Sequence, residues 1–236
     1  DLKDYKGAIA DYTKAIKINP NYTNAYFNRG WNKSRIDDYK GAICDYTETI
    51  KINHKHINSY FNRGRIKSKL KDYKGAITDY TEVIKINSKD TEAYYNRGCV
   101  KSNISDNTGA ITDYNKVIEL NPKHINAYIN LGVAQYETKD YEGEIATYRL
   151  AIKNCSPDAD LYNNLGRALY DLKRFKEAAE AYGEGIKAFP SDGKLYYGRG
   201  LARNQSGDKN GACEDWHRSS ELGCFQANAL LPLCGE

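Results

Sequence analysis

The chain has 236 residues, 40% of them hydrophobic, and a net charge of +4, enough for one or two ordinary cores and too weakly basic to mark a nucleic-acid binder by charge alone. Twenty-one tyrosines, 22 asparagines and no methionine make an odd composition for an enzyme. No apolar run approaches the roughly 20 residues of a membrane-spanning helix.

The absence of Met even at position 1 suggests a piece of a longer protein. Charge is uneven: residues 1–124 carry 22 Lys/Arg against 15 Asp/Glu, and residues 125–236 carry 13 against 16. Cys44, Cys99, Cys155, Cys213, Cys224 and Cys234 show no CxxC and no metal-ligand spacing. They read as small, mostly buried residues of a reducing, cytoplasmic setting, with a bridge among the last three as the minority alternative. His54, His56, His124 and His217 are scattered, and the 54/56 pair reads as solvated loop, so no metal and no cofactor is expected.

In chain order, residues 1–22 open with Asp4-Tyr5-Lys6-Gly7-Ala8-Ile9, which returns as Asp38-Tyr39-Lys40-Gly41-Ala42-Ile43. Gly30, Gly64, Gly98, Gly132, Gly166 and Gly200 follow at a spacing of 34. Four residues before each stands a tyrosine, from Tyr26 to Tyr196. Twelve residues after each come Ala42, Ala76, Ala110, Glu144, Ala178 and Ala212, and four further on Tyr46, Tyr80, Tyr114, Tyr148, Tyr182 and Trp216. A period of 34 holds two helices and their turns. The chain then divides into residues 1–22, the second helix of a truncated repeat; six two-helix repeats at 23–56, 57–90, 91–124, 125–158, 159–192 and 193–224; and an apolar end, 225–236, expected to be a capping helix. Asp38, Asp72, Asp106 and Asp140 stand where a carboxylate caps the second helix, and Pro20, Pro122 and Pro190 close repeats. Gly and Ala twelve apart mark facing backbones. Glu144 breaks that small-residue register and is expected to reach solvent or a cation at an opened seam. Tyr5, Ile9 and Tyr12 lack a first helix to cover them, which predicts weak protection or self-association through that end.

The pattern Y-x2-[RL]-G, A-x3-Y and a closing Pro resembles the tetratricopeptide-repeat (TPR) family, in its bacterial type, over nearly the whole chain. The resemblance implies an all-α, right-handed superhelical α-solenoid of helix–turn–helix repeats with a C-terminal capping helix. It also implies first helices lining a concave face, and a role in binding peptides and assembling complexes.

On the first helices, one stripe beside the Tyr26/Gly30 face holds Phe27, Asn28, Trp31 and Arg35. Read along the chain it gives Phe27, Phe61 and Tyr95, and an asparagine ladder at Asn28, Asn62, Asn96, Asn130 and Asn164 that ends at Gly198. An amide both donates and accepts, so such a ladder suits the backbone of an extended partner segment. Trp31, Arg35, Arg65 and Lys69 form a basic-aromatic cluster. Arg29, Arg63, Arg97 and Arg199 lie next to the seam and are expected to stack or pair structurally. The partner expected is a protein or extended peptide. A second reading makes the chain a regulatory or targeting arm of a larger, catalytic protein. RNA binding is disfavoured by low charge and by Glu137, Asp160 and Asp171 on the inner face. No nucleophile–base pair or phosphate loop argues for an enzyme.

Overall fold

The computed structural model describes residues 4–235, which among themselves form thirteen α-helices and no strand. Contacts divide the chain into two compact units, Asp1–Leu120 and Asn121–Glu236. The first holds α1 (Tyr5–Ile18), α2 (Thr23–Arg35), α3 (Tyr39–Ile52), α4 (Ile57–Lys69), α5 (Tyr73–Ile86), α6 (Thr91–Asn103) and α7 (Asn107–Leu120). The second holds α8 (Ile125–Glu137), α9 (Tyr141–Asn154), α10 (Ala159–Asp171), α11 (Phe175–Ala188), α12 (Gly193–Gln205) and α13 (Lys209–Glu221). Inside each unit every helix packs against the next, and first helices also meet one another, α4 with α6 and α10 with α12.

Every second helix except α11 starts on an aspartate. Asp38, Asp72, Asp106, Asp140 and Asp208 accept from the N–H three residues on, at 2.9–3.1 Å. That N–H belongs to glycine for a steric reason: a Cβ on Gly41 would lie 2.2 Å from the Asp38 carboxylate. In α11 both residues change together. Arg174 stands at the cap and Glu177 in place of glycine, paired at 2.6 Å. The reversal before each second helix passes through a left-handed residue, Asp37 (φ 62), Lys71 (φ 63), Ser105 (φ 61), Lys139 (φ 63), Lys173 (φ 59) or Gly207 (φ 94), the usual way a helix ends.

The two helices of a repeat approach closely where glycine faces alanine. A Cβ on Gly30 would lie 3.3 Å from the Ala42 carbonyl oxygen and 3.2 Å from the Tyr46 ring. Ala42 and Tyr46 are fully buried, and Ile66 of α4 packs on them. The same cluster recurs as Ala76, Tyr80 and Val100. In α1 the equivalent Ala8 and Tyr12 are only half-buried, because no first helix among the described residues covers them.

Arg29, Arg63 and Arg97 pair structurally, as expected, and the pairing joins three helices each time. Arg29 of α2 donates through Nε and Nη2 to both carboxylate oxygens of Asp45 in α3, at 2.9 and 2.6 Å, and through Nη1 to Thr13 Oγ1 of α1 at 3.1 Å. Lys33 Nζ lies 2.9 Å from the same carboxylate, which is buried. The Tyr26 ring flanks the guanidinium at 5.5 Å. Thr47–Arg63–Asp79 with Lys67 and Thr81–Arg97–Asp113 with Lys101 repeat this arrangement. In the second unit Arg199 and Arg203 hold Asp215, but Gly183 stands where the hydroxyl would be. At α10 and α11 the lock is replaced by buried Leu165, Leu169 and Ala181.

Residues 225–235 depart from the expected capping helix. They form two 3-10 turns, Phe225–Ala229 and Leu231–Cys234, with Pro232 the second residue of the latter. Each is too short for repeated i to i+4 bonds, and Pro232 brings no N–H. The turns still act as a cover: Ala227, Leu230 and Leu231 pack with Ala212 and Trp216 of α13. A disulfide between Cys213 and Cys234 fastens them to α13. The reading of the cysteines as mostly buried thiols is corrected accordingly. Cys44 is exposed, Cys99 and Cys155 are partly exposed, and of the free ones only Cys224 is buried.

Removing one member of a lock strands a buried charge. Arg63→Leu should cost about 3 kcal/mol or more in urea unfolding. The triple change Arg63→Leu, Lys67→Leu, Asp79→Ala, which copies α10 and α11, should come within about 1 kcal/mol of the parent. Equal losses for both variants would contradict a lock built on buried charge.

Candidate binding face

The ladder residues occupy the first helices in the same half-buried setting: Asn28, Asn62 and Asn96 in the first unit, Asn130 and Asn164 in the second. Asn62 Nδ2 donates to the Asn58 carbonyl at 2.8 Å and Asn96 Nδ2 to the Glu92 carbonyl at 2.7 Å, one turn back on their own helices. One amide hydrogen and the Oδ1 acceptor of each stay uncommitted among the described residues. Asn28 and Asn164 make no side-chain hydrogen bond there.

Phe27, Phe61 and Tyr95 flank the ladder, and each also serves the core. Their rings lie 5.7, 5.6 and 6.1 Å from those of Tyr46, Tyr80 and Tyr114. Phe27 further meets His56 at 5.0 Å. His56 is therefore not a solvated loop residue. It is half-buried, its Nδ1 accepts from the Ser59 N–H at 3.3 Å to cap α4, and burial lowers its pKa.

The basic-aromatic cluster separates into three parts. Arg35 stacks over Trp31 (5.7 Å) and over Tyr5 of α1 (6.0 Å), and Trp31 remains 42% exposed. Lys69 Nζ lies 4.6 Å from the centre of the Tyr39 ring, donates to its hydroxyl and neighbours Asp37. Arg65 is exposed.

Glu144 corrects the expectation of an opened seam. It is 1% exposed, and burial pushes its carboxyl up to about 7, an effect only partly offset by the positive charge of Arg167 and reinforced by Asp171. No ion pair reaches it among the described residues.

Sequence reasoning missed a cavity of about 390 Å³ in the second unit, between α10, α11, α12 and the first 3-10 turn. Asn163, Arg167 and Asp171 line it from α10, and Tyr197 and Leu201 from α12, in the registers of Phe27, Trp31 and Arg35. The signal was Gly198, the one rung of the ladder without a side chain.

These features define an all-helical repeat protein with polar and aromatic side chains recurring on the first helices of each unit, a protein-interaction scaffold. The chain belongs to the tetratricopeptide-repeat family, whose models match residues 1–31, 64–101 and 105–139 (TPR repeat) and 125–156 and 159–192 (tetratricopeptide repeat). Among curated proteins none matches. Among solved structures, MamA is 26% identical with a TM-score of 0.63, over 73% of this chain and 94% of that one. The C-terminal part of a TPR repeat-containing protein from Cytophaga hutchinsonii is 19% identical with a TM-score of 0.78, covering 97% and 95%. YrrB, described as a TPR protein with an unusual peptide-binding site, is 16% identical with a TM-score of 0.61, covering 78% and 97%. No helix is long and apolar enough to cross a membrane among the described residues.

Glu144 makes stability depend on pH in a fixed direction. Its folded pKa lies above the ordinary 4.5, so the native state binds more protons between about 4.5 and 7, and stability falls as pH rises through that window. Glu144→Ala, which restores the register residue, should gain about 1–3 kcal/mol relative to the parent between pH 5 and pH 8. Urea titrations at the two pH values measure it, and a pH-independent difference would show that Glu144 stays charged throughout.

Proposed function

We propose that the chain holds an extended segment of a partner protein along its first-helix face, with the asparagine ladder bonding to the segment's backbone. The observation that carries this reading is the uncommitted amide capacity of Asn28, Asn62 and Asn96, repeated at one rung per repeat beside the Phe27, Phe61 and Tyr95 edges. Backbone amides of an extended strand present the matching donors and acceptors whatever the sequence, while aromatic edges favour apolar side chains. The peptide-binding site in the printed description of YrrB agrees with this use of the fold.

The test uses a peptide selected against the whole protein from a random library. Replacing Asn28, Asn62 and Asn96 by Ala should remove about 1 kcal/mol per rung, roughly a hundredfold in Kd in all. The loss should hardly depend on salt, and folding should barely change. Replacing Arg35, Arg65 and Lys69 should instead slow association in a salt-dependent way. Unchanged affinity in the asparagine triple variant would move the binding surface elsewhere.

A further inference from the structure

We infer that the cavity in the second unit is a pocket for an aromatic side chain flanked by acidic residues in an internal segment of a partner; the inference rests on the first-helix face being the binding surface. The pocket has a floor, walls and a rim of different chemistry. Buried Tyr182, Gly198 and Cys224 make the floor. Half-buried Tyr170, Tyr197 and Leu201 make apolar walls, and Arg167, Lys194 and Asp171 stand exposed at the rim.

The cavity exists because Gly198 brings no side chain to a rung that elsewhere carries asparagine. A Cβ there would lie 2.4 Å from the Tyr182 ring, so helix and ring are already in contact at the floor. The walls are fixed from behind. Tyr197 and Leu201 pack on the Ala212–Trp216 cluster, and Tyr170 stacks edge-on against Phe175 at 5.2 Å. The turn that supplies Cys224 and Gln226 belongs to the segment fastened by Cys213–Cys234. At about 390 Å³ the space falls in the range of ligand sites and is lined mainly by aromatic and apolar groups, which suits a ring.

Charge decides what stands beside the ring. Neither Arg167 nor Lys194 forms an ion pair among the described residues, whereas the lock arginines are all engaged. Two unpaired cations against one carboxylate leave the rim positive. An acidic flank on the partner complements Arg167 and Lys194, and a basic flank meets repulsion from both.

The experiment uses the intact chain and the blocked peptide acetyl-Gly-Glu-Phe-Glu-Gly-amide, followed by amide chemical shifts. Binding should perturb Arg167, Tyr197, Gly198 and Leu201. Replacing Phe by Ala, or both Glu by Lys, should weaken it at least tenfold. The double variant Arg167→Glu, Lys194→Glu, made and compared in the Glu144→Ala background so that the lost attraction between Arg167 and Glu144 does not enter, changes only exposed positions and should prefer the lysine peptide. Equal binding of the glutamate and lysine peptides, or shifts confined to other helices, would overturn the proposal. Tighter binding of N-acetylphenylalanine than of the blocked peptide would also overturn it, by assigning the pocket to a small acid or a chain end. Failure here with a positive asparagine-ladder result leaves the wider binding reading standing, because the ladder tested lies in the other unit.

Discussion

In the first unit three arginine–aspartate locks set the spacing of seven helices. Each reaches from the threonine of one second helix, through the arginine of the following first helix, to the aspartate of the next second helix. Successive locks share α3 and α5, so α1 to α7 are joined without interruption. A bidentate guanidinium–carboxylate pair tolerates little sliding or rotation, and its donors and acceptors are nearly all satisfied. Its main contribution is therefore register, since a buried ion pair gains little over apolar side chains in net stability.

The second unit shows what substitutes for it. Leu165, Leu169 and Ala181 are buried in place of arginine, lysine and aspartate. At Leu131 the partner position is Thr147, which bonds to Gln135 at 2.7 Å. Each position changes together with its partner, as do Arg174 and Glu177 at the α11 cap. Glu144 lacks such compensation: a carboxyl has entered an alanine position and no neighbour has changed to pair with it. Its neighbourhood on α10, with Arg167 and Asp171, borders the cavity opened by Gly198, so two departures from the repeat fall in adjoining parts of one unit.

The architecture was legible because it is periodic. Glycine at the close approach, alanine opposite and aspartate at the cap each answer a local steric or hydrogen-bonding demand, and each recurs every 34 residues. The partner of each arginine was legible in principle, since Arg and Asp stand 16 apart in four repeats and are absent together from two. What lies off the period could not be read this way. The pairing of Cys213 with Cys234 requires the last turns to fold back, and nothing in their apolar composition specifies that path. His56 as a cap requires knowing that Phe27 shields it. The cavity depends on Gly198, Tyr182 and the end turns together, three features from separate parts of the chain.

The Cys213–Cys234 bond also determines how tension enters the second unit. A pull applied beyond Cys234 passes through sulfur to Cys213, near the start of α13, and not along the intervening backbone. The 3-10 turns and most of α13 then hang as a slack branch beside the load path. The part of the pocket lining that Cys224 and Gln226 contribute belongs to that branch. A pull at this end would load the α12–α13 seam, on which Tyr197 and Leu201 of the pocket pack, and leave the Cys224 side of the pocket off the load path.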